Sequence, residues 1–198
     1  MTGTLTAEIA AAAARLVVEE GLEYGPAKRR AARDLGTGRS SVGLPGNDEV
    51  EDEVRAYIDL FRADSQPAEL ATLRALAAEW MERLAAFRPY LTGAVWRGTA
   101  TRLSDIHIEL YCDDSKAAEF ALIDMHVDYE VSTAERPRGQ SVSVLNIYAT
   151  RHEPRARVRI ALTVLDYDDL RGALRGDGRG QSQRGDLAAL KTLLRDAG

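Results

Sequence analysis

The run Asp105-Ile106-His107-Ile108-Glu109-Leu110 alternates polar and apolar residues without a break. A period of two belongs to an extended strand with one face buried, because successive side chains point to opposite sides of the backbone. Asp105, His107 and Glu109 then share one face, while Ile106, Ile108 and Leu110 enter a core. Buried charge is expensive, so this row is either solvated or holds something positive. Ahead of it stand an apolar segment, Gly93-Ala94-Val95-Trp96, and a small turn, Gly98-Thr99-Ala100-Thr101.

Helical periods dominate the chain before this strand. Thr6 is the expected N-cap of a first helix with Ile9, Ala13, Leu16 and Val17 on one face and Gly21 at its stop. Pro26 opens a second helix carrying Lys28, Arg29, Arg30 and Arg33, and Gly36 ends it. The Gly/Ser/Pro-rich stretch 37–46 reads as a loop. Asn47 is the expected cap of a third helix with Val50, Val54, Tyr57, Ile58 and Phe61 as its buried stripe. Its acids Asp48, Glu49, Glu51, Asp52 and Glu53 suit the positive end of the helix dipole and read as a solvated face. A fourth helix carries Leu70, Leu73, Leu76, Ala77, Trp80, Met81 and Leu84 and ends near Phe87.

After Pro89 the period changes. Strands are expected over 90–96, 104–111, 125–131, 141–150 and 157–166, with a loop over 132–140. Asp113, Asp114 or Ser115 caps a short helix between the second and third strands, and another short helix follows through Leu170 and Leu174. A Gly/Arg/Gln-rich loop covers 176–185, and Asp186 caps a last helix with Leu187, Leu190, Leu193 and Leu194. The fold class is α+β: a helical N-terminal half over 1–66, then a mixed sheet of about five strands with flanking helices over 67–198.

At 198 residues the chain can bury one sizeable core or a small domain with a helical extension. A formal net charge of -5 argues against broad electrostatic binding to nucleic acid. The one cysteine, Cys112, excludes an internal disulfide framework and a cysteine-rich zinc site, and it fits a reducing compartment. No stretch approaches the ~18 apolar residues of a membrane span, and the alanine-rich start lacks the basic lead of a signal peptide. The expectation is a cytoplasmic protein with no membrane partner. Nucleophile elbows, P-loops and dinucleotide fingerprints are missing, which argues against hydrolases, P-loop ATPases and NAD enzymes.

Three pieces of the chain carry a likeness. Leu91-Thr92-Gly93-Ala94 stands where one family has an apolar pair and Gly-Ser. Arg97-Gly98-Thr99-Ala100-Thr101 looks like its Arg-Gly-x-Ala turn, and Ser104-Asp105-Ile106 matches its Ser-Asp-Ile. On these residues the chain, over roughly 75–131, resembles the nucleotidyltransferase superfamily that includes DNA polymerase beta, and in particular its small bacterial members.

The resemblance implies a nucleotidyltransferase-like sheet and metal-dependent transfer of a nucleotide from an NTP to an acceptor. In such chemistry carboxylates fix magnesium or manganese ions that bridge the triphosphate and the attacking oxygen. Asp105 would be the first catalytic acid. Asp128, in Val127-Asp128-Tyr129, would be the carboxylate from a neighbouring strand, with Asp166 a second candidate for that place. Gly93, Ala94, Arg97, Gly98 and Ser104 would surround the nucleotide, and Asp105, His107, Glu109 and Asp128 would hold the metal, Mg2+ or Mn2+.

Two positions depart from the family pattern. His107 replaces its second aspartate, and a neutral imidazole there favours manganese, zinc or no metal over magnesium. Ala94 replaces its serine and removes a hydroxyl that would hold a phosphate oxygen.

The departures imply an alternative, a catalytically inactive binding or regulatory module whose helical half contacts a partner protein. A second alternative, a DNA-binding regulator, rests on the basic second helix as part of a helix-turn-helix. Cys112, with no basic neighbour in sequence, reads as an inert thiol.

Overall fold

The computed structural model describes residues 2–36, 43–136, 140–150, 157–170 and 182–196. Two compact units are found: Met1–Leu70 with Thr99–Ser104, and Ala71–Gly98 with Asp105–Gly198.

The first unit is helical. Its elements are α1 (Thr2–Glu20), α2 (Tyr24–Asp34), α3 (Asn47–Phe61) and the start of α4 (Gln66–Arg83). Ile9, Ala13, Ala14, Val17 and Val18 of α1 pack in one cluster with Ala27 and Ala31 of α2 and Val50, Val54 and Ile58 of α3. Alanine at four of these places lets the helix backbones approach closely. Helix α1 starts four residues before Thr6, so that threonine lies inside the helix rather than capping it. Gly46, not Asn47, caps α3: its N–H donates to Glu49 Oε2 at 2.6 Å, and Asn47 Oδ1 instead accepts from Lys28 Nζ at 2.8 Å. Gly21 does end α1, with a φ of +71° that an L side chain rarely adopts.

The segment Thr99–Ser104 belongs to this unit. Thr99, Ala100 and Thr101 are buried, and Gln66 Nε2 donates to the Ala100 carbonyl at 2.8 Å. Three successive amides of the turn are already engaged. Thr101 N–H donates to Ser104 Oγ (2.9 Å), Arg102 N–H to Glu69 Oε2 (2.8 Å) and Leu103 N–H to Thr101 Oγ1 (3.4 Å).

The second unit is built on a six-stranded sheet in the order β3-β4-β5-β2-β1-β6. The strands are β1 (Tyr90–Thr92), β2 (Ile106–Tyr111), β3 (Tyr129–Arg136), β4 (Gln140–Thr150), β5 (Arg157–Leu165) and β6 (Arg184–Gly185). Only β2 and β5 run parallel; the other neighbours are antiparallel, so the sheet is mixed as expected. Helices α5 (Gly93–Arg97), α6 (Ala117–Asp124) and α7 (Leu187–Asp196) complete it, and a 3-10 turn, Ala85–Phe87, follows α4. Leu91, Ile106, Ile108, Leu110, Leu145, Ile147, Ile160 and Leu162 are fully buried, as are Leu122 of α6 and Leu190 of α7. Asp186 caps α7 as expected, its Oδ1 accepting from Ala189 N–H at 2.9 Å.

Three strand expectations need correcting. The strand expected over 90–96 stops at Thr92, because Gly93 turns the chain at φ +69° and Ala94–Arg97 continue as a helical turn. The strand expected over 125–131 starts only at Tyr129, since α6 runs to Asp124 and His126 takes a φ of +55°. That same strand continues through Arg136, where a loop was expected. Its pairing with β4 supplies the reason, because residues 132–136 are mostly exposed and carry no apolar alternation. Of the expected short helix through Leu170 and Leu174, the part beyond Leu170 lies outside the described residues, as does most of the Gly/Arg/Gln-rich loop.

Candidate functional site

The polar face of the sheet is where the second unit places its chemistry. Along β2, Ile106, Ile108 and Leu110 are fully buried while His107 and Glu109 are half-buried, as the alternation requires. Register then decides which neighbours share the polar face. Ile106 pairs with Ile160 in the parallel strand β5, so the residues just before them, Asp105 and Arg159, stand side by side. His107 faces Ala161 on one side and Thr92 on the other, and Glu109 faces Thr163 and Tyr90.

Asp105 is held by Arg159. Nε and Nη2 of Arg159 both donate to Asp105 Oδ2, at 2.9 and 2.6 Å. The side chains are 34% and 29% exposed, so the pair is partly shielded from solvent. Arg159 Nη1 donates to Asn146 Oδ1 at 3.0 Å, and Asn146 Nδ2 donates to Ser132 Oγ at 2.8 Å. A chain of hydrogen bonds thus runs from β2 across β5 and β4 to β3.

Glu109 is held by a second arginine. Arg184, from the two-residue strand β6, pairs with Glu109 Oε2 and also donates to the Tyr111 hydroxyl oxygen at 2.7 Å. The Tyr111 hydroxyl in turn donates to Glu109 Oε2 at 2.7 Å. Burial first, and then this bond to Glu109, push the Tyr111 hydroxyl well above the ordinary tyrosine range.

The two glycines hold their turns. Gly93 and Gly98 have φ of +69° and +86°, one as the first residue of α5 and one at its C-cap. A Cβ on Gly93 would lie 3.3 Å from His107 Cδ2, so the bare backbone there lets the imidazole sit close. Ala94 and Arg97 are half-buried in α5, and Arg74 braces that helix by donating to the carbonyls of Val95 and Trp96 at 3.1 and 3.2 Å. Ser104 caps the turn of the helical unit described above.

Of the residues expected to hold metal, the sheet brings Asp105, His107 and Glu109 onto one face. A carboxylate oxygen of Asp105 and a ring nitrogen of His107 lie within 4.8 Å of each other. Asp128 is not brought to them. It is exposed just ahead of β3, beside an open hollow it shares with Ile123, His126, Val127 and Tyr129. Strand β3 is three places from β2 in the sheet, about 14 Å at ordinary strand spacing. The place beside Asp105 on the neighbouring strand belongs to Arg159.

Within this unit the donor set does not fit magnesium. That ion takes hard oxygens around a net negative charge. Here one carboxylate is engaged by a guanidinium, the next belongs to Arg184 and Tyr111, and the residue between them is an imidazole. Arg159 and Arg184, which decide this, were missed by sequence reasoning. The signal for Arg159 was its place in an otherwise apolar stretch, Val158-Arg159-Ile160-Ala161-Leu162.

No family model and no curated protein matches the chain. Among solved structures, it is similar to the MgGTP-bound Cid1 poly(U) polymerase at 11% identity and a TM-score of 0.33, over 48% of this chain and 32% of that one. It is also similar to Cid1 in complex with the UTP analog UMPNPP, at 18% identity and a TM-score of 0.30, over 51% and 31%. A third Cid1 structure, described for RNA terminal uridylyl transferase activity, gives 18% and 0.28, over 50% and 29%. The chain thus matches about a third of the length of the Cid1 chains. Among the described residues no helix is long and apolar enough to cross a membrane.

Proposed function

We propose that this chain is a nucleotidyltransferase-like protein that has given up metal-dependent transfer and serves as a binding or regulatory module. The observation that carries the reading is the Arg159 guanidinium on Asp105. A catalytic aspartate must offer its oxygens to a cation that bridges the triphosphate. Asp105 already has a cation, held in turn by Asn146. The turn after Gly98 adds to the reading, because the amides of Thr101, Arg102 and Leu103 are committed to protein acceptors and not left for phosphate. The helical unit, with a core of its own, is the part that would meet a protein partner.

The competing reading is an active transferase that moves a nucleotide from an NTP using Mn2+ or Mg2+. It is favoured by the nearness of the Asp105 carboxylate to the His107 ring. Incubation with labelled ATP, CTP, GTP and UTP, with magnesium or manganese, separates the two. No transfer product is expected from the full chain. A product that disappears in Asp105→Ala would establish the transferase instead.

A further inference from the structure

The metal that the family resemblance implies and the residues beside Asp105 disagree, and the disagreement has a specific form. In the parallel pair β2–β5, the position next to Asp105 is the one from which a carboxylate would complete a shared cation site. Arg159 occupies that position and reaches back across the strand gap. Two of its nitrogens meet a single Asp105 oxygen, and a third meets Asn146 Oδ1. Its charge therefore lies against one oxygen of the carboxylate that an ion would take.

We propose that Arg159 is a built-in cation: its guanidinium does for Asp105 what a divalent ion would otherwise do, and it keeps the polar face free of metal. This rests on the functional reading above and gives its cause in one residue. A guanidinium suits the role because it is always charged and its planar fork directs donors at a carboxylate and a neighbouring amide together. Asn146 fixes the fork, since its own amide nitrogen is tied to Ser132 Oγ at 2.8 Å. The site beneath is a cation site with its ligand set interrupted. Replacing the cation by a carboxylate would place two acids on adjacent strands, with His107 on the same face.

The test is titration of the full chain with Mn2+, reading free ion by electron paramagnetic resonance and folding by circular dichroism. The wild type is expected to bind no Mn2+ in a manner sensitive to Asp105→Asn. Arg159→Asp is expected to gain one Mn2+ at least roughly tenfold tighter than the wild type, to lose it again in Asp105→Asn/Arg159→Asp, and to melt higher with Mn2+. Arg159→Lys keeps the cation and is expected to gain nothing. Arg159→Asn, which offers an oxygen with no charge change beyond removal of the cation, gives a milder gain and covers the case in which Arg159→Asp does not fold.

Wild-type Mn2+ binding that Asp105→Asn abolishes would overturn the proposal. So would folded Arg159→Asp and Arg159→Asn proteins that bind no more Mn2+ than the wild type. The functional reading fails separately: nucleotide transfer by the wild type without Asp105-dependent Mn2+ binding would sink it and leave the built-in cation standing.

Discussion

Arg159 and Asp105 are 54 residues apart in sequence and meet because β2 and β5 run parallel in a register that sets them side by side. Everything distinctive about the polar face follows from such pairings. Arginine 184 does for Glu109 what Arg159 does for Asp105, so both strand carboxylates are compensated within the sheet unit.

The Glu109 network has consequences for stability. Glu109 and Arg184 are only 20% and 18% exposed, and Tyr111 is buried at 2%. Glu109→Gln leaves the Arg184 guanidinium without its counter-charge in a poorly hydrated place. A loss of about 2 kcal/mol is expected, measured by urea denaturation. Glu109→Gln should cost more than Lys191→Ala, whose pair with Glu82 is half-exposed on both sides.

Alkaline pH should act through Tyr111. Its hydroxyl is raised above the ordinary value by burial and by the bond to Glu109, so the folded state holds this proton more tightly than the unfolded chain does. The resulting stability is present in full below the unfolded value of about 10 and is lost as pH rises from there towards the folded value. In an absorbance titration at 295 nm, Tyr111 should ionise last, or only with unfolding. Tyr111→Phe should flatten the stability loss above about pH 10 while lowering stability at neutral pH. An unchanged alkaline slope in that variant would contradict the assignment.

Gly185 is a packing requirement. A Cβ there would run into the Trp96 ring, whose indole N–H donates to the Ser182 carbonyl at 2.8 Å. Gly185→Val must displace either the ring or β6, and a loss of at least about 2 kcal/mol is expected. A red shift in tryptophan fluorescence should accompany it. Gly93→Ala is expected to cost about 1 kcal/mol, from its positive φ and the contact with His107.

Cys112 should react slowly. Burial raises its thiol above the ordinary value, and Asp114, Asp113 and Asp166 raise it further. Thiolate is the reactive form, so alkylation by iodoacetamide at pH 8 should run at least several-fold slower than for free cysteine until the chain is unfolded.

Where the sequence was legible, a period announced the structure. Ile106, Ile108 and Leu110 are fully buried beside half-buried His107 and Glu109, because alternation reports a strand face directly. Asp186 was legible as a cap because the capping bond is local. The partners of the polar row were not legible. Arg159 reaches Asp105 only through parallel register, and Arg184 sits in a two-residue strand too short to show a period. Strand β3 ran past its expected end because pairing with β4, and not burial of its own side chains, holds residues 132–136 extended. Asp128 looked like the neighbouring carboxylate because it follows β2 and one helix in sequence, yet the strand beside β2 arrives later, as β5.

The commitment of Asp105 to Arg159 is tested most directly by the sign of one stability change. Asp105→Asn keeps the shape of the side chain and removes its charge. With Arg159 as its partner, the substitution should lower the unfolding free energy by about 1 kcal/mol in metal-free buffer, with a coupling of similar size in a double-mutant cycle with Arg159→Gln. An Asp105→Asn protein as stable as the wild type or more stable, with no coupling to Arg159→Gln, would mean that the carboxylate is held ready for an external cation and would contradict its pairing with Arg159.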